Sequence, residues 1–411
     1  MLDVDAVRSC FPSVRSQEAI FFDNPGGTQI VQTSLDRITA YLLGSNANHG
    51  GAFKTSIESD QLLADAHAAL ADFLNARSPD EIVFGPNMTT LTFMLSRSLA
   101  RTLKPGDEVV VTHLDHDANI APWLAIAEDR GLTVRWADIK PEDVTLDLED
   151  LERQINSRTK IVACCYASNA VGTINDVRAI VARAHSVGAL CFVDAVQAAP
   201  HLLMDVQDLD CDFLACSAYK FFGPHLGVLY GKLELLERLP AYKVRPASNQ
   251  PPGKFETGTQ NHEGIAGTLG AVDYLASLGG PDAAKNGRRA GLRRGMEAIR
   301  GYEMGLQEIL IQGLQSLAGV KIWGITDRSS LARRVPTVSF TLRNWHPRSL
   351  AERLAESGIY TWDGNYYALS VMERLDLQEA GGMLRVGPVH YNTAAEVARL
   401  VSVLEEIVGG R

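Results

Sequence analysis

Two side chains at the ends of apolar runs suggest chemistry. The stretch 189–231 reads ALCFVDAVQAAPHLLMDVQDLDCDFLACSAYKFFGPHLGVLYG. An apolar run from Ala189 to Val193 ends in Asp194, with Gln197 three residues on. A second run, Phe213 to Cys216, ends in Ser217, Ala218, Tyr219 and Lys220, and a Gly223-Pro224 turn follows. In a doubly wound α/β sheet, ligands bind beyond the carboxyl ends of the strands. A carboxylate and a lysine presented there meet the needs of a pyridoxal phosphate site. The amine holds the cofactor as a Schiff base, and the acid keeps its ring nitrogen protonated. Either residue alone has a plainer reading, a strand-end Asp or a solvated Lys, so the weight rests on their order and spacing.

The elements around this stretch fit such a sheet. Apolar runs 82–84, 109–112, 133–137, 161–166, 189–193 and 213–216 alternate with helix-like segments between about 80 and 230. That alternation predicts a mostly parallel sheet covered on both faces. Beyond Gly231 the chain looks loop-rich. Residues 281–318 read as one long helix interrupted by glycines. Pro336 to Leu342 and Met383 to Val386 read as strands, and Ser349 to Ser357 as an amphipathic helix. A final helix opens with a Thr393/Glu396 capping box. The predicted organisation is an N-terminal segment (1–20) packing with the small domain, a large cofactor-binding domain (21–280) and a small α+β domain (281–411).

The totals bound the function. The 411 residues are 46% hydrophobic and 21% charged, enough for a large core and more than one domain. A net charge of −10 argues against nucleic acid or an anionic membrane as partner. No apolar run is long enough to span a membrane. The opening MLDVDAVRSCFPSV carries acids early and no basic region before an apolar core, unlike a secretory leader. Six scattered cysteines without a C-x-x-C pair suggest free thiols in a reducing, cytoplasmic setting. The basic residues Lys285, Arg288, Arg289, Arg293 and Arg294 read as a solvated helix face rather than a nucleic-acid patch.

Other segments offer candidate ligand groups. Gly85-Pro86-Asn87-Met88-Thr89-Thr90 links a strand to a helix and could cradle a phosphate at the helix N-terminus; Thr there is also an ordinary cap. His113, Asp115, His116 and Asp117 are either metal ligands or, for His116, a ring stacked on a cofactor. Asn169 follows a strand end, as cofactor contact or as a turn residue. The Gly- and Asn-rich stretch 46–54, with His49, is either a pocket loop of a neighbouring subunit or plain surface.

Taken in order, V-D-A-V-Q-A at 193–198, S-x-x-K-x-x-G-P at 217–224, S-N-x-x-G-T at 168–173, F-E-x-G-T at 255–259 and R-x-x-x-x-x-Y-N-T at 385–393 resemble the class V aminotransferase family, and most closely its cysteine desulfurase-like branch. The resemblance spans about Phe22 to Val408. It implies the fold type I architecture of pyridoxal 5'-phosphate enzymes and a set of roles. Lys220 carries the cofactor and is the base at Cα, Asp194 pairs with the ring nitrogen, His116 stacks on the ring, and Gln197 and Asn169 bond its hydroxyl. Met88, Thr89, Ser217 and Tyr219 hold the phosphate, joined by Thr259 from the other subunit of a homodimer. Arg385 binds the substrate carboxylate, with Asn169, His49 and Tyr366 beside it. The sequence departs from the branch at three points; one is Thr90, where many relatives carry Glu. Tyr367 aligns with the persulfide-forming Cys, and no Cys occurs after Cys216; Tyr219 stands where a His is usual. The expected activity is therefore C–S or C–Se bond cleavage by β-elimination on an amino acid. The alternatives are transamination, epimerisation with Tyr366 as proton donor, or a non-catalytic binding protein on the same fold.

Overall fold

The computed structural model describes residues 2–410. Seven strands form the main sheet, in the spatial order Ile82–Gly85, Gly227–Gly231, Phe213–Ser217, Leu190–Asp194, Thr159–Cys165, Glu108–Thr112 and Thr133–Ala137. All run parallel except Gly227–Gly231, which is antiparallel to both its neighbours. The parallel strands therefore share one carboxyl edge.

These strands read as continuous apolar runs because both faces are buried. Side chains alternate between two cores. Val110, Val162, Cys164, Cys191, Val193, Leu214 and Cys216 enter one, and Val109, Val111, Ile161, Ala163, Phe192, Phe213 and Ala215 enter the other.

A second sheet, all antiparallel, orders Val320–Trp323, Val338–Leu342, Met383–Val386 and Trp362–Gly364. It packs on the helices Arg288–Ser316 and Ala394–Val408 through its own core. The Thr393/Glu396 box caps the last helix with both reciprocal bonds in place. Ile20–Phe21, at the junction of the N-terminal segment and the large domain, pairs in parallel with Ile359–Tyr360 beside this second sheet.

The structure departs from three expectations. The segment 281–318 is two helices, Pro281–Ala284 and Arg288–Ser316, separated where Gly287 takes φ 90°. Arg288 and Arg289 are not a solvated face. Arg288 pairs with Asp72 and Asp273, and Arg289 donates to the carbonyls of Asp72, Phe73 and Met204. Finally, the loop-like region after Gly231 contains the buried helix His262–Ser277. Its glycines explain the misreading. They lower helix propensity, but a Cβ at Gly270 would lie 2.5 Å from the Thr33 carbonyl, and one at Gly267 would meet Ile38. The helix Gln32–Gly44 approaches along this face, with Ser34 and Thr33 hydroxyls donating to the carbonyls of Gly267 and Gly270.

The second sheet is tied to the main one through a run of carbonyls beyond the Thr159–Cys165 strand. Asn169 O accepts from Arg385, Ala170 O from Ser339, Val171 O from Arg334, and Gly172 O from the Val335 amide. Arg334 is fully buried and also donates to the Thr337 and Ile325 carbonyls. This linkage fixes Arg385 relative to the carboxyl edge of the main sheet.

Candidate active site

A cavity of about 800 Å³ lies at that carboxyl edge, where the second sheet meets it. Lys220 sits in the short turn Ala218–Lys220 after the Phe213–Ser217 strand and is buried. Its Nζ donates to the Gly26 carbonyl at 3.1 Å and also to the Pro25 carbonyl. Burial, helped by the nearby Arg385 charge, pushes its pKa down to about 7, with Asp194 opposing. Asp194 ends the neighbouring strand, and its Oδ1 accepts from the Val196 amide at 2.9 Å. Burial pushes its pKa up to about 6.

The other walls come from the remaining strand ends. His116 follows Glu108–Thr112, and its Nδ1 accepts from the Ala118 amide at 2.9 Å, which puts the ring proton on Nε2. Burial, then Lys220 and Arg385, lower its pKa to about 4, so the ring is neutral. Its ring stacks on Tyr367, 5.5 Å between centroids. His113 turns away and stacks on Trp136, so the two histidines do not converge. At the Ile82–Gly85 end, Asn87 caps the helix Met88–Ala100 by accepting from the Thr90 amide at 2.8 Å. The Met88 amide donates to Ser217 Oγ at 3.1 Å, and Thr89 lies on the cavity wall. Tyr219 also lines the cavity, its ring stacked on His225.

Arg385 enters from Met383–Val386. It is buried, its guanidinium lies 4.2 Å from the centre of the Tyr366 ring, and its Nη1 donates to Asn169 O at 2.8 Å. Burial lowers its pKa to about 10. Tyr366 and Tyr367 both hold positive φ, 55° and 57°. The Tyr366 carbonyl accepts from Asn169 Nδ2 at 2.9 Å and that of Tyr367 from the Asp117 amide at 2.7 Å. The Tyr366 hydroxyl donates to the Met383 carbonyl, and burial raises its pKa further. The phenol is thus bonded to the backbone of the Met383–Val386 strand.

Thus Met88, Thr89, His116, Asn169, Asp194, Gln197, Ser217, Tyr219, Lys220, Tyr366 and Arg385 line one cavity. Two predicted residues lie outside it. Thr259 is exposed, and His49 sits 3.8 Å from Asp60 and edge-on to His262. Sequence reasoning missed Thr337, whose hydroxyl accepts from Gln197 Nε2 at 2.8 Å; it stands just before the Val338–Leu342 strand, with no motif to mark it. It also missed the resting partners of Lys220, although Pro25 and Gly26 stand in a visible turn cluster.

The lining fits a polar, flat, anionic ligand. Gln197 Oε1, Asn169 Oδ1 and Arg385 Nε are buried without a hydrogen-bond partner. Such atoms are costly unless a ligand completes them. A capped helix N-terminus with Ser217 and Thr89 beside it suits a phosphate. Together with a lysine and a carboxylate on adjacent strand ends, this lining belongs to a pyridoxal 5'-phosphate enzyme of fold type I.

Comparison with known proteins narrows the class. The family model for aminotransferase class-V matches residues 20–400. A cysteine desulfurase of Serratia proteamaculans is 33% identical over 98% of both chains. An aminotransferase-like protein of Gibberella zeae is 34% identical over 98% of both. The apo cysteine desulfurase of Thermococcus onnurineus superposes with a TM-score of 0.88 at 29% identity, covering 100% of this chain and 99% of the other. The cysteine desulfurase CsdA of Escherichia coli gives 0.86 at 25% identity over 100% and 99%. The chain belongs to the class V aminotransferase family.

The lowered pKa of Lys220 has a measurable consequence. Below about pH 7 the amine is protonated and cannot attack a carbonyl; above it, the neutral form prevails. The rate at which apoprotein takes up added cofactor, followed by its visible band, is expected to rise with pH through about 7 and then level off.

Proposed function

We propose that the protein is a lyase that eliminates a sulfur or selenium substituent from Cβ of an amino acid. One observation carries this reading: among the described residues lining the cavity, no exposed thiol is placed to take the sulfur. The resemblance to cysteine desulfurases puts Tyr367 where that branch carries its sulfur-accepting Cys. The only cysteine among the lining residues, Cys165, is buried, and burial raises its pKa well above the ordinary thiol value. A protonated, inaccessible thiol is a poor nucleophile.

When bound, pyridoxal phosphate withdraws electrons from Cα and so acidifies its proton. The residues of this chain do the rest. Ser217, Thr89 and the Met88 helix end would hold the phosphate, Asp194 would pair with the ring nitrogen, His116 would cover the ring, and Gln197 and Asn169 would bond its hydroxyl. Arg385 grips the substrate carboxylate through a planar fork suited to two oxygens. Lys220 Nζ takes the proton from Cα. The Cβ–S bond then breaks with its electron pair on sulfur, which leaves as a thiol after gaining a proton. With one water consumed, the amino-acid carbon skeleton emerges as pyruvate and ammonium, without net oxidation. A homodimer is part of the proposal: Thr259 and the His49 loop, both exposed on their own chain, would complete the neighbouring cavity. The free cysteines suit a reducing, cytoplasmic compartment. Among the described residues no helix is long and apolar enough to cross a membrane.

The test is product analysis with S-substituted L-cysteines. Pyruvate and free thiol in equal amounts are expected; a new amino acid formed by transamination, or loss of chirality alone, would displace the proposal. Thiol titration gives a second check. Cys10 is half-buried and the other five cysteines are buried, so about one thiol per chain should react rapidly in the folded protein. A second fast thiol, protected by substrate, would point instead to a sulfur acceptor in the cavity.

A further inference from the structure

The cavity changes character from floor to rim. Lys220, Asp194, Gln197 and Arg385 are buried at its base. Its outer wall is aromatic and open: Trp362 is 47% exposed and Tyr367 73% exposed, and the partly exposed Phe93 also lines the cavity. Large apolar side chains exposed together at a cavity mouth mark a binding surface. A cysteine side chain, ending one atom past Cβ, would leave this wall unused once Arg385 has fixed the carboxylate.

The rim also carries a charge without a counterion. Asp117 lines the cavity, and among the described residues no cationic side chain lies within salt-bridge distance of its carboxylate. Its backbone is pinned to the same rim, since its amide donates to the Tyr367 carbonyl. The other rim carboxylate, Asp363, is already 3.4 Å from Arg348. The cavity's two cations, Lys220 and Arg385, are committed at the floor. Partial burial raises the pKa of Asp117 with no cation to offset it. A positive group arriving here would gain both the carboxylate and the faces of the aromatic rings.

We infer that the substrate's side chain, beyond the leaving sulfur, ends in a planar cation of the amidine, guanidine or imidazolium type, recognised by Asp117, Tyr367 and Trp362. This rests on the reading of the cavity as an amino-acid site, but not on the reaction performed there. The test therefore uses thioether propanoates, which keep the carboxylate and lack the reacting amine. Calorimetry on the holoenzyme compares 3-(4-amidinobenzylthio)propanoate with its neutral isostere, the 4-carbamoyl compound. The amidine is expected to bind at least about tenfold more tightly, in line with a cation held by a carboxylate and aromatic rings. Asp117→Asn is expected to bring the ratio close to one. Reading a ratio within each protein removes any general effect of the substitution. Asp117→Lys is expected to invert the preference toward the 4-carboxylate analogue. Equal binding of amidine and amide to the unaltered protein, or a preference that survives Asp117→Asn, would overturn the inference. Failure of the lyase reading would show separately, as absence of pyruvate from any S-substituted cysteine.

Discussion

Lys220→Ala protein is expected to lose turnover by at least about 10⁴-fold and to lose the borohydride-reducible visible band of the bound cofactor. The magnitude follows from one atom serving two tasks. Removing a positioned general base alone costs about 10²–10⁴-fold, and the covalent hold on the cofactor goes with it. The fold should survive, because Nζ is bonded only to two loop carbonyls, those of Pro25 and Gly26. Thermal melting of the apoproteins checks that point. Added methylamine should restore part of the proton transfer in Lys220→Ala, which a merely misfolded site would not allow. Retention of the reducible band in this variant would show that another residue carries the cofactor.

Arg385→Ala is expected to raise KM for amino-acid substrates by about 30-fold to a few thousandfold, since truncating one partner of a buried charge pair costs about 2–5 kcal/mol. Cofactor loading should change little. The guanidinium spends one donor on the Asn169 carbonyl and lies over Tyr366, while Nε is buried and unpaired. A specific control is available. A substrate carboxamide should be poor for the unaltered enzyme and lose no further ground in the variant. If Arg385→Ala instead lost cofactor with KM unchanged, the arginine would belong to the cofactor's hold rather than the substrate's.

Much of this site was legible in the sequence because its parts are local. Asp194 with Gln197 and Ser217 with Lys220 each lie within a strand end and the following turn, so spacing alone keeps them together; the cap of the next helix was read as Thr, whereas Asn87 accepts from the Thr90 amide. The doubly buried sheet was legible for a similar reason: strands covered on both faces become unbroken apolar runs such as Ile161–Cys165. The rest depended on long-range contacts that leave no periodic trace. Four successive carbonyls, from Asn169 to Gly172, are taken by Arg385, Ser339, Arg334 and Val335 from a segment more than 160 residues away. Thr337 orients Gln197 in the same manner. The helix His262–Ser277 was hidden by the glycines that let its neighbour approach. Arg288 and Arg289 looked solvated because their partners, Asp72, Asp205 and Asp273, are scattered along the chain.

The central claim is that this cavity expels sulfur as a leaving group and does not hand it to a protein thiol. The most direct measurement incubates the holoenzyme with L-cysteine and with S-substituted L-cysteines, and quantifies pyruvate against alanine. Pyruvate matched by free sulfide or thiol, with no sulfur left on the protein, is the predicted result. Alanine accompanied by protein-bound sulfur would contradict it and would place a reactive cysteine within reach of the substrate.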